Sequence, residues 1–325
     1  MPHVGRRPRL YYDREGTGEP MLWITGFTIS AAVFEPILHL YTSRLDCVTY
    51  DNRGSGRSST PRHPTSVPEL AGDAVRLLDA LDIDSAHVYG LSMGGMIAQE
   101  LAIRFPERVR GLILGGTTPG GPRAARPGPR QLAGLGLAAS QDLARPGRPW
   151  LGAMLFSEQF RREQPERARE LITYFFSHRA PVVGMSAHWW ATVYHDTYSR
   201  LGLIGAPTLV LHGGEDRMSP LANSQILAER IPDAELVVIA GAGHAYALER
   251  PQESAQITLR WLERRGPIAP GSRARGLEAR GERVTRALGL PVGALRTGRS
   301  LAAVIGARLR ASRARRPRSD RARAI

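Results

Sequence analysis

The chain has no lysine, and all 44 of its basic residues are arginine. With abundant Ala, Gly and Pro, this suggests a GC-rich coding sequence, so part of the arginine content is compositional drift. Cysteine occurs once, at Cys47, which excludes an internal disulfide, and no Cys/His cluster has the spacing of a zinc site. Because Cys47 begins an apolar strand-like run, it is expected to be buried. No stretch offers the roughly 18 uninterrupted apolar residues of a membrane span, and residues 1–16 lack the apolar core of a signal peptide. A cytoplasmic protein without stable membrane insertion is therefore expected.

The +14 formal charge suggests a nucleic-acid binder until it is located. Residues 266–325 hold fifteen arginines against Glu278, Glu282 and Asp320, a net +12 that leaves only +2 for residues 1–265. That tail contains no aromatic residue, which removes a base-stacking argument, and no nucleic-acid partner is expected. Residues 300–318 could form a basic amphipathic helix making weak contact with an anionic surface. The favoured reading is a disordered, solvated extension.

Length and a 42% apolar content allow a large core. Apolar runs at 21–25, 47–51, 86–90, 109–116, 207–213 and 234–241 alternate with helical-period segments such as 67–82 and 93–105. This alternation predicts an α/β fold, a mostly parallel sheet with helices on both faces and an active site at the carboxyl ends of the strands. Between 118 and 200 the strand signal disappears and ten of the 21 aromatics gather. The expected organisation is a core of 1–117 and 201–265, a helical cap insertion at 118–200 whose aromatics mostly form its own interior, and the 266–325 tail.

The chemistry concentrates at AHVYGLSMGG, residues 86–95. Ser92 stands between a strand and a helix, with Gly90 and Gly94 two residues to either side, as a serine on a sharp strand-to-helix turn requires. The turn aims the N–H of Met93 into the same space from a helix N-terminus. A serine hydroxyl is a poor nucleophile at neutral pH and needs a base with an orienting acid. His244 follows the 234–241 run and Asp216 follows the 207–213 run, in the order Ser, Asp, His. At the end of the first run, Gly26 frees the backbone and Phe27 N–H is the expected second oxyanion donor. His212 reads as a packed core group, and His178, His188 and His195 as satisfied or solvent-facing cap residues.

These pieces resemble the α/β-hydrolase superfamily: Gly90 to Gly95, the turn Asp51 to Ser58, the acid loop Gly213 to Asp216 with Pro220, and Gly243-His244. The resemblance covers residues 10–265 and implies a doubly wound sheet with a helical cap. It gives the Asp51–Ser58 turn a structural role. Thr25-Gly26 departs from the His-Gly that many members carry. Asn52-Arg53-Gly54 together with GLSMGGMIAQELA is similar to the branch of 3-oxoadipate enol-lactonases, esterases and cofactor-free haloperoxidases.

The expected activity is hydrolysis of a small carboxylic ester, lactone or thioester through an acyl-enzyme on Ser92, with a small acyl-bearing molecule as partner and neither cofactor nor metal. Perhydrolysis or C–C bond hydrolysis on the same residues is the alternative. A ligand-binding protein or a basic-tail binder is the non-enzymatic one.

Overall fold

The computed structural model describes residues 3–5, 8–61, 63–129, 133, 154–177 and 181–266. Trp150, His178 and the tail beyond Gly266 lie outside the described residues. Eight strands form one sheet: β1 (His3–Val4), β2 (Leu10–Gly16), β3 (Glu19–Ile24), β4 (Leu45–Tyr50), β5 (Ala86–Leu91), β6 (Val109–Gly115), β7 (Thr208–Gly213) and β8 (Ala234–Ile239). Their order is β1-β2-β4-β3-β5-β6-β7-β8. All neighbours from β4 to β8 run parallel, while β1 and β2 pair antiparallel at one edge. The expected parallel α/β sheet is present.

Each apolar run singled out in the sequence overlaps a strand from β3 to β8; β4, β5 and β7 are buried along their whole length, as strands covered on both faces must be, while the edge strand β8 is only partly buried. Cys47 is among these residues, and burial pushes its thiol up to about 12. The helices are α1 (Glu35–Leu38), α2 (Val67–Ala80), α3 (Met93–Arg104), α4 (Glu158–Glu163), α5 (Pro165–Ser177), α6 (Val182–Val193), α7 (Leu221–Arg230), α8 (Tyr246–Glu249) and α9 (Pro251–Arg265). Ser66 starts α2 with a capping box, its hydroxyl accepting from Glu69 N–H while the Glu69 carboxylate accepts from Ser66 N–H.

Two apolar clusters fill the two sides of the sheet. One joins Leu22, Ile24, Val48 and Val88 to α2 and α3. The other joins Met21, Trp23, Tyr89 and Ile113 to α1, α8 and α9. In the second, Trp23 stacks on Tyr89 with ring centroids 4.5 Å apart, and the Tyr89 and Tyr246 hydroxyls lie 2.8 Å from each other.

Between β6 and β7 the described chain contains helices and no strand. Phe156 and Phe160 are buried as expected of a cap interior. Trp189 and Tyr194 are not, being 60% and 74% exposed on the outer side of α6. The helix face explains this: α6 turns Gly184, Ala187, His188 and Ala191 inward, which leaves Trp189 on its outward side.

Candidate active site

The carboxyl ends of β3, β5, β6, β7 and β8 are neighbours in the sheet, so the loops leaving them lie side by side. Gly26, Ser92, Gly116, Asp216 and His244 belong to those loops in that order. Ser92 follows β5 directly and has φ 56° and ψ −119°, a backbone conformation that costs an L residue about 1–3 kcal/mol. Strand β6 holds it in place: Ser92 N–H donates to Gly115 O at 2.8 Å, and Thr117 Oγ1 donates to Ser92 O at 2.7 Å.

The flanking glycines are sterically required. A Cβ at Gly90 would lie 2.4 Å from Gly94 O, and one at Gly94 would lie 2.1 Å from Ile24 O. The turn can therefore close only with hydrogens at both positions. Met93 begins α3, so its N–H is among the unpaired donors of a helix N-terminus. Gly26 comes so near that a Cβ there would stand 3.2 Å from Ser92 Cβ and 3.7 Å from Ser92 Oγ. Among the described residues Ser92 Oγ has no hydrogen-bond partner.

His244 and Asp216 do meet. His244 Nδ1 lies 2.7 Å from Asp216 Oδ2, while Asp216 Oδ1 accepts Met218 N–H at 2.7 Å and Ser219 N–H at 2.9 Å. Burial works against the Asp216 charge, but the imidazole of His244 and these donors hold its carboxyl below the usual aspartate range. Burial likewise disfavours the imidazolium, yet Asp216 outweighs it and raises His244 above its ordinary value. Gly116, one residue past the Ser92 support, carries this pair: a Cβ there would stand 3.2 Å from His244 Cε1 and 3.4 Å from Asp216 Oδ2.

The Thr25–Ser30 turn is braced from several sides. Thr25 Oγ1 donates to Ile29 O at 3.0 Å, and Asn52 Nδ2 donates to Thr25 O at 3.2 Å. Phe27 is half-buried between these braces, and Thr28 adopts φ 62°. The Asp51–Ser58 turn is structural, as expected: Asp51 accepts Ala31 N–H and Arg57 N–H, each at 2.7 Å. Arg53 meets Asp73 of α2 through two bonds of 2.5 and 2.6 Å.

Of the other described histidines, His212 and His188 follow their bland readings, whereas His195 keeps a buried Nδ1 with no hydrogen-bond partner. His212 is buried on β7 with Nδ1 2.9 Å from Ser224 Oγ, and burial lowers its pKa. His195 is buried and pushed down to about 4 by desolvation. His188 is buried with both ring nitrogens engaged.

Sequence reasoning missed the supporting acids. Asp73 was detectable, since it interrupts the apolar stripe of α2 between Leu70 and Leu77. Glu249 carried no such signal. Among the described residues no three His, Cys, Asp or Glu side chains gather as metal ligands, and no helix is long and apolar enough to cross a membrane.

The family model for the alpha/beta hydrolase fold matches residues 19–251. A poly(3-hydroxyalkanoate) depolymerase from Ectopseudomonas oleovorans is 31% identical over 254 residues, covering 75% of this chain and 84% of that protein. The 3-oxoadipate enol-lactonase 2 of Acinetobacter baylyi is 34% identical over 210 residues, 63% of this chain and 74% of that one. Among solved structures, an enzyme that degrades N-acyl homoserine lactones superposes with a TM-score of 0.68 at 31% identity, covering 80% of this chain and all of that one.

Proposed function

The chain belongs to the alpha/beta hydrolase fold family, and from that premise we propose that it cleaves a small carboxylic ester, lactone or thioester through an acyl-enzyme on Ser92. His244 Nε2 takes the Ser92 proton as the hydroxyl oxygen attacks the carbonyl carbon. Asp216 holds the Nδ1–H tautomer and stabilises the imidazolium. The tetrahedral oxyanion is met by the N–H groups of Met93 and Phe27, each worth about 3–4 kcal/mol when well aimed. Collapse breaks the bond to the leaving group, which departs with the proton from His244. Water then repeats the sequence on the acyl-enzyme and releases the acid. The scheme uses no cofactor.

The observation that carries this reading is the 2.7 Å contact of His244 with Asp216, supported on the same strand end that fixes the strained Ser92. The relatives support the bond type, since a depolymerase of hydroxyalkanoate esters and two enzymes named for lactones share one linkage chemistry. The segment 118–200 is proposed as the cover that sets acyl size. A panel of p-nitrophenyl esters, γ- and δ-lactones, acyl thioesters and hydroxyalkanoate oligomers tests the reading. Turnover of at least one class, lost in Ser92→Ala, is expected. A folded wild-type chain that turns over none contradicts it.

A further inference from the structure

We propose that His188, carried by α6 outside the Ser–His–Asp set, is the positioning residue that fixes the peptide facing Ser92. Its ring bridges two loops distant in sequence. Nδ1 accepts the N–H of Thr28 at 3.1 Å, and Nε2 lies 2.8 Å from the carbonyl oxygen of Arg53. A carbonyl can only accept, so Nε2 carries the hydrogen, and a backbone N–H can only donate, so Nδ1 is bare. The two contacts together fix one neutral tautomer.

The helix is seated so that this ring has little freedom. Gly184 sits one turn earlier on the same face, and a Cβ there would lie 1.9 Å from Gly54 O, so α6 rests directly on the Asp51–Ser58 turn. His188 itself is 0% exposed, with the ring of Phe27 tilted against it at 6.1 Å between centroids. Burial also lowers its pKa, which favours the neutral form the two contacts demand.

The consequence lies in the peptide planes of the Thr25–Thr28 turn. The Thr25 carbonyl is held by Asn52 Nδ2 and the Thr28 N–H by His188 Nδ1. The peptide joining Gly26 to Phe27 lies between these two anchored planes, and a Cβ at Gly26 would stand 3.7 Å from Ser92 Oγ. Thr28 needs the anchor, because a β-branched residue at φ 62° is disfavoured in isolation. Without His188 the turn can relax and swing the Phe27 N–H away from the position an oxyanion would take. The rate consequence rests on the ester-hydrolysis reading above, whereas the clamp on Thr28 does not.

Three variants of the full chain separate this role from simple helix docking. In His188→Asn the amide oxygen reproduces the Nδ1 acceptor and abandons Arg53. In His188→Gln the amide nitrogen reproduces the Nε2 donor and abandons Thr28. His188→Leu loses both contacts. Hydrogen exchange at the Thr28 amide, read by NMR, is compared with kcat and KM on p-nitrophenyl acetate. We expect Asn to stay within about threefold of wild type in both readouts. Gln and Leu should exchange at Thr28 roughly tenfold faster and lose about tenfold in kcat with KM changed less than about twofold, a partial version of losing an oxyanion donor.

Wild-type behaviour in Gln together with loss in Asn overturns the proposal, because the bridge to Arg53 would then be what matters. Unchanged Thr28 exchange in Leu overturns it as well. A wild-type chain that turns over no ester, lactone or thioester of the panel, yet shows the expected exchange pattern, upholds the clamp and sinks the hydrolase reading instead.

Discussion

The carboxylate of Glu249 accepts the N–H of Gly243 at 3.0 Å, immediately before His244. The same carboxylate accepts Ser157 N–H at 3.0 Å and the Ser157 hydroxyl, and Ala245 N–H donates to Leu155 O at 2.8 Å. Both neighbours of His244 are thus tied to the segment that opens α4. A buried glutamate with three donors binds the His244 loop to the helices between β6 and β7.

Glu249→Ala strands those donors. Each buried unsatisfied group costs about 1–3 kcal/mol and such losses are not additive, so a destabilisation of about 2–4 kcal/mol is expected in urea unfolding. A change below about 1 kcal/mol would show that the donors find other partners.

The pH dependence follows from the opposed shifts of the Asp216–His244 pair. The base must be neutral, and Asp216 raises His244 above its ordinary 6.5, so kcat/KM should climb through a midpoint above that value. Asp216→Asn removes the raising charge and leaves burial, which moves the midpoint down while kcat falls by roughly 10⁴. A pH–rate profile decides, and an acid limb that stays in place in Asp216→Asn would separate it from this pair.

Gly26→Ala tests the approach of the β3 loop to the serine. The added methyl meets Ser92 Cβ at 3.2 Å and approaches Oγ at 3.7 Å, which requires displacement of a few tenths of an ångström. A loss of roughly tenfold in kcat/KM with little change in melting temperature is expected, since small misplacements of reacting groups are costly. Equal loss in stability and rate would make the position structural.

Removal of residues 270–325 should leave ester turnover within about twofold, because every residue assigned to the chemistry lies before α9 ends. A severe loss in a still-folded truncation would give the tail a part in the site.

What the sequence made legible follows from how each element is stabilised. Strands β4, β5 and β7 were visible because burial on both faces demands continuous apolar runs, and β8 was visible by its apolar run although it is a partly buried edge strand. Strand β2, LYYDREG, was not: it passes from buried to exposed along its length at the sheet edge, and its charged half has no apolar pattern. Ser92, Asp216 and His244 were readable because each follows a strand end at short range. His188 was not, since its meaning lies in contacts 160 and 135 residues away, and spacing carries no record of a tautomer. The aromatics of α6 misled because aromatic content marks apolar surface without saying which way it faces.

The central claim is that Ser92 is the nucleophile, and covalent labelling addresses it most directly. The full chain is treated with a fluorophosphonate and weighed intact, beside Ser92→Ala with its fold verified by circular dichroism. The account predicts one adduct on the wild type, mapped to the peptide containing Ser92, and none on the variant. An unlabelled folded wild type, or an equally labelled Ser92→Ala, would contradict it.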